Sequence, residues 1–263
     1  MEFGHKLVGL DGFRLRGMDF SRVDAFSDVV FGFGLTLLVV SLEVPKTFNE
    51  LHAMIGGFVP FAISFCLLMM IWYEHYQFFR RFGLHDFRTI VLNSVLLFVV
   101  LFYVYPMKFL FTVVVRGVFG AGSSDAFSDI HQVRELFVLY GLGFAAVYLL
   151  IAALYWNAWR QREQLDLDRL EQMLTRNYII EQASVGAVGL LSCVAAFVVP
   201  PPFYGLTGFI YCLIGPVKWL HGRRTGKMSR RVRGEMAAES ALIAGAAEEP
   251  LEHPETLARA QIQ

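Results

Sequence analysis

Four polar side chains, Arg22, Asp24, Ser27 and Asp28, open a long apolar run, VVFGFGLTLLVVSL. Ionised groups at the mouth of a membrane helix are costly unless they are paired or wetted, so they are a functional-site candidate by default. The run is not a plain leucine and valine anchor, because it carries Gly32, Gly34 and Thr36. On a helix Asp28, Gly32 and Thr36 are four apart and share a face, while Phe33, Leu37 and Val40 form an adjoining stripe. Facing a symmetric axis, such large apolar side chains make a constriction that gates by dewetting, and a ring of Thr36 hydroxyls meets a partly dehydrated cation. The competing reading is structural. Ser21 and Asp24 have the spacing of a capping box, and glycines with a threonine permit close helix packing. Asp28, two turns in, is not explained by a cap and needs Arg22, a buried polar group or water as a partner.

Further polar groups stand at the same expected depth. Trp72, Glu74, His75 and Tyr76 close a second apolar run, and Asn93 lies just inside a third. Glu74 and His75 do not form a metalloprotease motif, since no second histidine follows at the required spacing. Alone they read as interfacial anchors. Together with Arg22, Ser27 and Asp28 they would make one hydrogen-bonded knot, Asn93 donating to a carboxylate and Trp72 giving its single N–H.

The elements that must position these groups are membrane spans. Of the 263 residues 56% are hydrophobic and 17% charged, against about 25% charged in soluble domains. The reading is an all-α polytopic membrane protein with six spans, at about 22–44, 53–76, 89–115, 136–158, 178–199 and 203–220. Pro106 interrupts the third, and Pro200, Pro201 and Pro202 force the turn between the last two. Cys66, Cys193 and Cys212 all fall in apolar runs without metal or disulfide spacing and read as small core residues. Formal net charge is zero, which gives a nucleic-acid partner no support. No cleavable signal peptide is visible in the first 20 residues.

Basic residues orient the chain. Lys6, Arg14, Arg16 and Arg22 precede the first span; Arg80, Arg81 and Arg88 fill the second loop. Arg160, Arg162, Arg169 and Arg176 fill the fourth, and Lys218, Arg223, Arg224, Lys227, Arg230, Arg231 and Arg233 follow the last. The other side holds only Lys46, Lys108, Arg116 and Arg134, so eighteen against four puts both termini in the cytoplasm of a cell (inner) membrane protein. The division is a cytoplasmic segment 1–20, a six-helix membrane domain 21–221, and a cytoplasmic basic, then acidic and alanine-rich tail 222–263. Beyond about 234 the tail reads as disordered or a short helix, and the basic run 223–233 as an orientation signal or a contact with anionic lipid.

The spacing Arg22-x-x-x-Phe26-Ser27-Asp28 at the start of the first span resembles the signature of the transmembrane protein 175 family, the endosomal and lysosomal potassium channel and its prokaryotic relatives. Trp72, His75, Phe79, Asn93 and Pro106 resemble that family's second and third spans, so the match covers about 22–106. The resemblance implies a potassium-preferring cation channel without the TVGYG filter, with the first span lining the pore. One signature per chain implies a homotetramer in a lipid bilayer. It needs no cofactor and conducts monovalent cations, potassium above all. It further implies a constriction five positions after the aspartate, where this chain has Phe33 in place of a branched aliphatic residue. Thr36 and Leu37 keep the family pattern, and Gly32 leaves one position of that face bare. Arg22, Phe26, Ser27 and Asp28 would hold the first helix against the next two, supported by Trp72, His75 and Asn93.

Two other readings stand beside this one. A proton- or cation-coupled transporter would relay protons through Asp28, Glu74 and His75, and a scaffold without transport would use only the charged cytoplasmic segments. No nucleophile–base pair has a plausible spacing, which argues against an enzyme. A second DAFSD at 125–129 lacks the arginine and any glycine–threonine span after it, and reads as coincidence.

Overall fold

The computed structural model describes residues 8–9, 11–19, 21–40, 44–118 and 129–248. These residues form helices α1 (Arg22–Val40), α2 (Phe48–Gly56), α3 (Phe58–Phe82), α4 (Phe87–Val118), α5 (Ile130–Arg160), α6 (Arg169–Val198) and α7 (Ile214–Glu248). A 3-10 segment, Pro201–Leu213, leads into α7. Among the described residues no strand forms, and β structure is limited to one isolated bridge between Val8 and Arg14.

Among the described residues five helices are long and apolar enough to cross a membrane: α1, α3, α4, α5 and α6. The expected sixth span, 203–220, falls on the 3-10 segment and the first two turns of α7. Local sequence explains most boundaries. Ser21 and Asp24 do form a capping box at α1: the Ser21 hydroxyl accepts from the Asp24 N–H at 3.1 Å, and the Asp24 carboxylate accepts from the Ser21 N–H at 3.3 Å. Asp168 and Glu171 cap α6 in the same reciprocal way. The second apolar run breaks at Gly57 into a short α2 and a long α3 that reaches Phe82.

Two expectations change, and a third, the tail, resolves to one of its two readings. Pro106 does not interrupt its helix, because α4 runs through it for 32 residues; a proline inside a membrane helix is tolerated where neighbours satisfy the freed carbonyl. Of the cysteines only Cys193 is buried, while Cys66 and Cys212 are exposed on the outside of the bundle. The tail from 234 to Glu248 continues α7 as helix, in keeping with its alanine and glutamate content. Asp129 of the second DAFSD caps α5, its side chain accepting from the His131 N–H; 125–128 lie outside the described residues.

The frame of the molecule is α4, α5 and α6. At Gly141 and Gly189 the α5 and α6 backbones touch: a Cβ on Gly141 would lie 2.8 Å from the Gly189 carbonyl, and one on Gly189 2.8 Å from that of Gly141. Only glycine allows that approach. A second locking point is the amino-terminal segment, an extended strap across the ends of α3 and α6. Arg16 and Gly17 N–H donate to the Arg81 and Arg80 carbonyls, which an isolated helix end leaves unsatisfied. A Cβ at Gly17 would sit 2.1 Å from the Phe79 carbonyl oxygen. Phe13 is fully buried edge-on against Phe82. Arg14 and Arg16 both grip the buried Glu171 carboxylate, at 2.8 and 2.7 Å.

Candidate functional site

Helix α1 is the least buried of the five long apolar helices among the described residues, at 22% against 28% for α3. It buries one narrow stripe, Ser27, Phe31, Gly34 and Leu38, against α3 and α4. The opposite face stays open: Phe26, Val29, Phe33 and Val40 are 60%, 69%, 57% and 78% exposed, and Gly32 and Thr36 are exposed with them. Leu37 is half-buried at the border. Positions 22, 26, 29, 33, 36 and 40 repeat at four and three residues, the spacing of a helix seam that packs against copies of itself. An apolar helix buried on one seam and bare on the other presents its second surface to lipid or to another chain.

Thr36 has a specific posture on that face. Its hydroxyl donates to the Phe33 carbonyl at 2.6 Å, so its oxygen lone pairs turn away from its own helix. Gly32 leaves open space beside it, with nothing within 4 Å of a Cβ placed there.

At its amino-terminal end α1 is fixed by a buried relay. Asn93 of α4 donates through Nδ2 to Ser27 Oγ at 2.9 Å, and Ser27 Oγ–H donates to the Val23 carbonyl at 2.7 Å. The Asn93 Oδ1 then remains to accept, and His75 Nε2 lies 2.8 Å from it. This direction of the chain makes His75 the Nε2–H donor. All three side chains are buried, with Ser27 fully so. The His75 ring is wedged between Phe31 and Phe79, with centroids 5.4 and 4.6 Å away. A second tie lies nearer the surface, where Trp72 Nε1 donates to Asp28 Oδ1 at 2.8 Å.

The expected knot is therefore partly assembled. Ser27, Asp28, Trp72, His75 and Asn93 come together between α1, α3 and α4. Asn93 donates to the Ser27 hydroxyl rather than to a carboxylate, since that hydroxyl lies deeper than Asp28. Glu74 leaves the group: it points to the other side of α3, where Lys218 pairs with it at 2.7 Å and Gln182 donates to it at 2.8 Å. One residue along a helix is a rotation of about 100°, which separates Glu74 from His75. Arg22 and Phe26 do not hold α1 to α3 or α4, because both face outward on the open seam. Val29, Phe31 and the strap residues Arg14, Arg16 and Glu171 were not singled out. The heptad spacing from 22 to 40 was the signal for Val29, while a contact spanning 157 residues, such as Arg14 to Glu171, leaves no local mark.

A cleft of about 110 Å³ opens beside this end of α1, lined by Asp19, Asp24, Asp28, His75 and Arg80 among others. Three carboxylates at the entrance to an apolar helix face favour cations there.

These features define a polytopic helical membrane protein with one span largely bare on its outer seam. The family described as endosomal/lysosomal potassium channel TMEM175 matches residues 22–103, the stretch that holds α1 and its anchor. A potassium channel from Marivirga tractuosa is 40% identical over 237 residues, covering 86% of this chain and 96% of that protein. A potassium channel from Streptomyces collinus is 28% identical over 151 residues, 55% of this chain and 67% of its own. Among solved structures, a variant of the potassium channel MtTMEM175 bound to a nanobody fusion superposes with a TM-score of 0.74. It is 37% identical and covers 84% of this chain and 100% of its own. The TMEM175 homologue of Chamaesiphon minutus shares the fold, with a TM-score of 0.52, at 21% identity over 76% of this chain and 96% of its own. The chain belongs to the TMEM175 family of potassium channels.

Proposed function

We propose that this chain is one subunit of a homotetrameric, potassium-permeable cation channel of the cell membrane. Each subunit contributes six spans, the 3-10 segment and the start of α7 forming the last, and both termini are cytoplasmic. Ions pass along an axis walled by the open seam of α1. The observation that carries this is the two-sidedness of α1, an apolar span with one seam buried by its own protomer and Phe26, Val29, Phe33 and Val40 left bare.

Phe33 forms the greasy neck of that path, with Leu37 and Val40 as further apolar layers and Gly32 giving the ring room to turn. Four Thr36 oxygens, their O–H bonds spent on backbone carbonyls, offer lone pairs to a cation that has shed part of its water. The Ser27–Asn93–His75 relay and the Trp72–Asp28 bond set the tilt and rotation of α1 rather than touch the ion. Segment 1–20 and tail 222–263 frame the membrane domain 21–221 on the cytoplasmic side.

A coupled transporter is disfavoured by the same geometry, because Glu74 is bound to Lys218 and Gln182 on the other side of α3 from His75 and Asp28. Single-channel recording in planar bilayers, with potassium and sodium on opposite sides, tests the proposal. Discrete unitary currents with a reversal potential displaced toward that of potassium are expected. Saturable flux that requires a proton gradient would overturn it.

A further inference from the structure

At the membrane end where α4 begins and α5 finishes, the two helices leave a groove between them. It encloses about 350 Å³. Its walls are one stripe from each helix: Phe87, Val91 and Leu92 on α4, and Ala153 and Trp156 on α5, at helical spacings that put each set on one face. Phe87 is 80% and Trp156 51% exposed, large apolar rings left bare at the groove's edge. Asn157 closes the floor, its Nδ2 donating to Thr89 at 3.0 Å and to the Asp86 carboxylate at 3.3 Å.

Over this apolar groove stand Arg88 and Arg160, both lining it and both exposed. Neither has an ion-pair partner among the described residues, unlike Arg14, Arg16 and Arg81 on the strap side. The neighbouring carboxylate, Asp86, is committed to Thr89 and Asn157 instead. The two cations thus have no ion-pair partner among the described residues, directly above a slot with aromatic sides. Arginine binds phosphate oxygens by paired N–H donors, and aromatic rings settle at the headgroup level of a bilayer.

We infer that the α4–α5 groove is a binding site for one anionic glycerophospholipid, its phosphate held by Arg88 and Arg160 and an acyl chain lying along Val91, Ala153 and Trp156. Charge complementarity selects the anionic headgroup, and the apolar walls select a lipid over a free phosphate. The site is distinct from the basic run of α7, whose Arg231 pairs with Glu235 and whose Arg223 stacks on Trp219. The inference needs the chain to be in a bilayer and does not depend on how ions permeate.

Native mass spectrometry of the full-length protein in detergent, with dioleoyl phosphatidylglycerol against dioleoyl phosphatidylcholine, tests it. The wild type should retain phosphatidylglycerol preferentially. Arg88→Gln with Arg160→Gln should weaken that retention on the order of tenfold to thirtyfold, from about one kcal/mol per cation. Arg88→Lys with Arg160→Lys should keep most of it, Ala153→Trp should fill the slot and lose it, and Arg223→Gln with Arg224→Gln should leave it unchanged. Where the double glutamine variant does not purify, a photoreactive phosphatidylglycerol on the wild type should label residues 87–92 and 153–160. Equal retention of the two lipids, a preference that survives the glutamine variants, labelling elsewhere, or full competition by glycerol 3-phosphate at equal concentration would each overturn the assignment.

Discussion

Helix α1 and the α5–α6 pair solve opposite problems. The best apolar window of α5 is 50% buried and that of α6 44%, whereas α1 has 22%. The α5–α6 pair is closed by glycine-to-backbone contact at Gly141 and Gly189, with the Cys193 sulfur packed beside Gly141. Its stability is internal. α1 is fastened by polar bonds at one end and a thin apolar seam along its length. The lesson is a division of labour: a frame packed within the protomer carries a helix that the protomer covers on one seam alone, which is the seam the proposed tetramer would complete from its other side. Polar anchors suit that helix, because hydrogen bonds fix rotation about the helix axis more sharply than nondirectional apolar contact does.

The contrast can be broken from the frame side first. Glu171→Ala removes the acceptor for Arg14 and Arg16 and for the Arg14 N–H, leaving Arg16 without its carboxylate and Arg14 with the exposed Asp166 and the more distant Asp168. A loss of about 3 kcal/mol is expected, at the low end for a broken buried ion pair because the arginines are partly exposed. Thermal unfolding in detergent reads it, and any channels that still form should keep their ion preference. Next, Asp28→Ala removes the Trp72 bond at the surface end of the anchor. It should cost about 1 kcal/mol or less in the protomer and lower tetramer recovery by size exclusion more than it alters selectivity. Intact tetramers with changed selectivity would move Asp28 into the ion path.

Thr36→Val sharpens the comparison on the open seam. It leaves protomer contacts untouched, so stability should not change, while the potassium-over-sodium preference should shift in bi-ionic recordings. Unchanged reversal potentials would remove Thr36 from the conduit. The smallest effect concerns Asp86, in the turn before α4. Burial raises its pKa, but hydrogen bonds from Thr89, Gln161 and Asn157 outweigh this and leave it below the ordinary carboxylate value. A depressed carboxylate stabilises the fold above its unfolded pKa of about 3.9, and the contribution fades as pH falls through the folded value. The deficit of Asp86→Asn in thermal scans should therefore be visible at neutral pH and shrink below about pH 4.

Some of this was legible in the residues and some was not. The five long apolar spans, the cap at Ser21 and Asp24, and the meeting of α1 with Trp72, His75 and Asn93 follow from hydropathy, capping chemistry and the cost of buried polar groups. Which nitrogen serves which oxygen does not follow. Asn93 reaches Ser27 rather than a carboxylate because of depths set by the packing of three helices. Glu74 and His75 are adjacent in sequence, and only the rotation of α3 parts them. Pro106 reads as an interruption because a proline breaks an isolated helix, yet α4 continues past it inside a bundle. The strap is the clearest omission. Arg14 and Arg16 look like orientation charges in the sequence, and their acceptor lies more than 150 residues away.

The central claim is that the bare seam of α1 lines the ion path with its narrowest point at residue 33. Thiol modification tests it most directly: Phe33→Cys in a background carrying Cys66→Ser and Cys212→Ser, recorded in bilayers while a charged methanethiosulfonate is added. The account predicts that unitary potassium current is blocked stepwise in that variant and not in the same background with Phe33 intact. Complete modification, verified by mass, with undiminished current would contradict it.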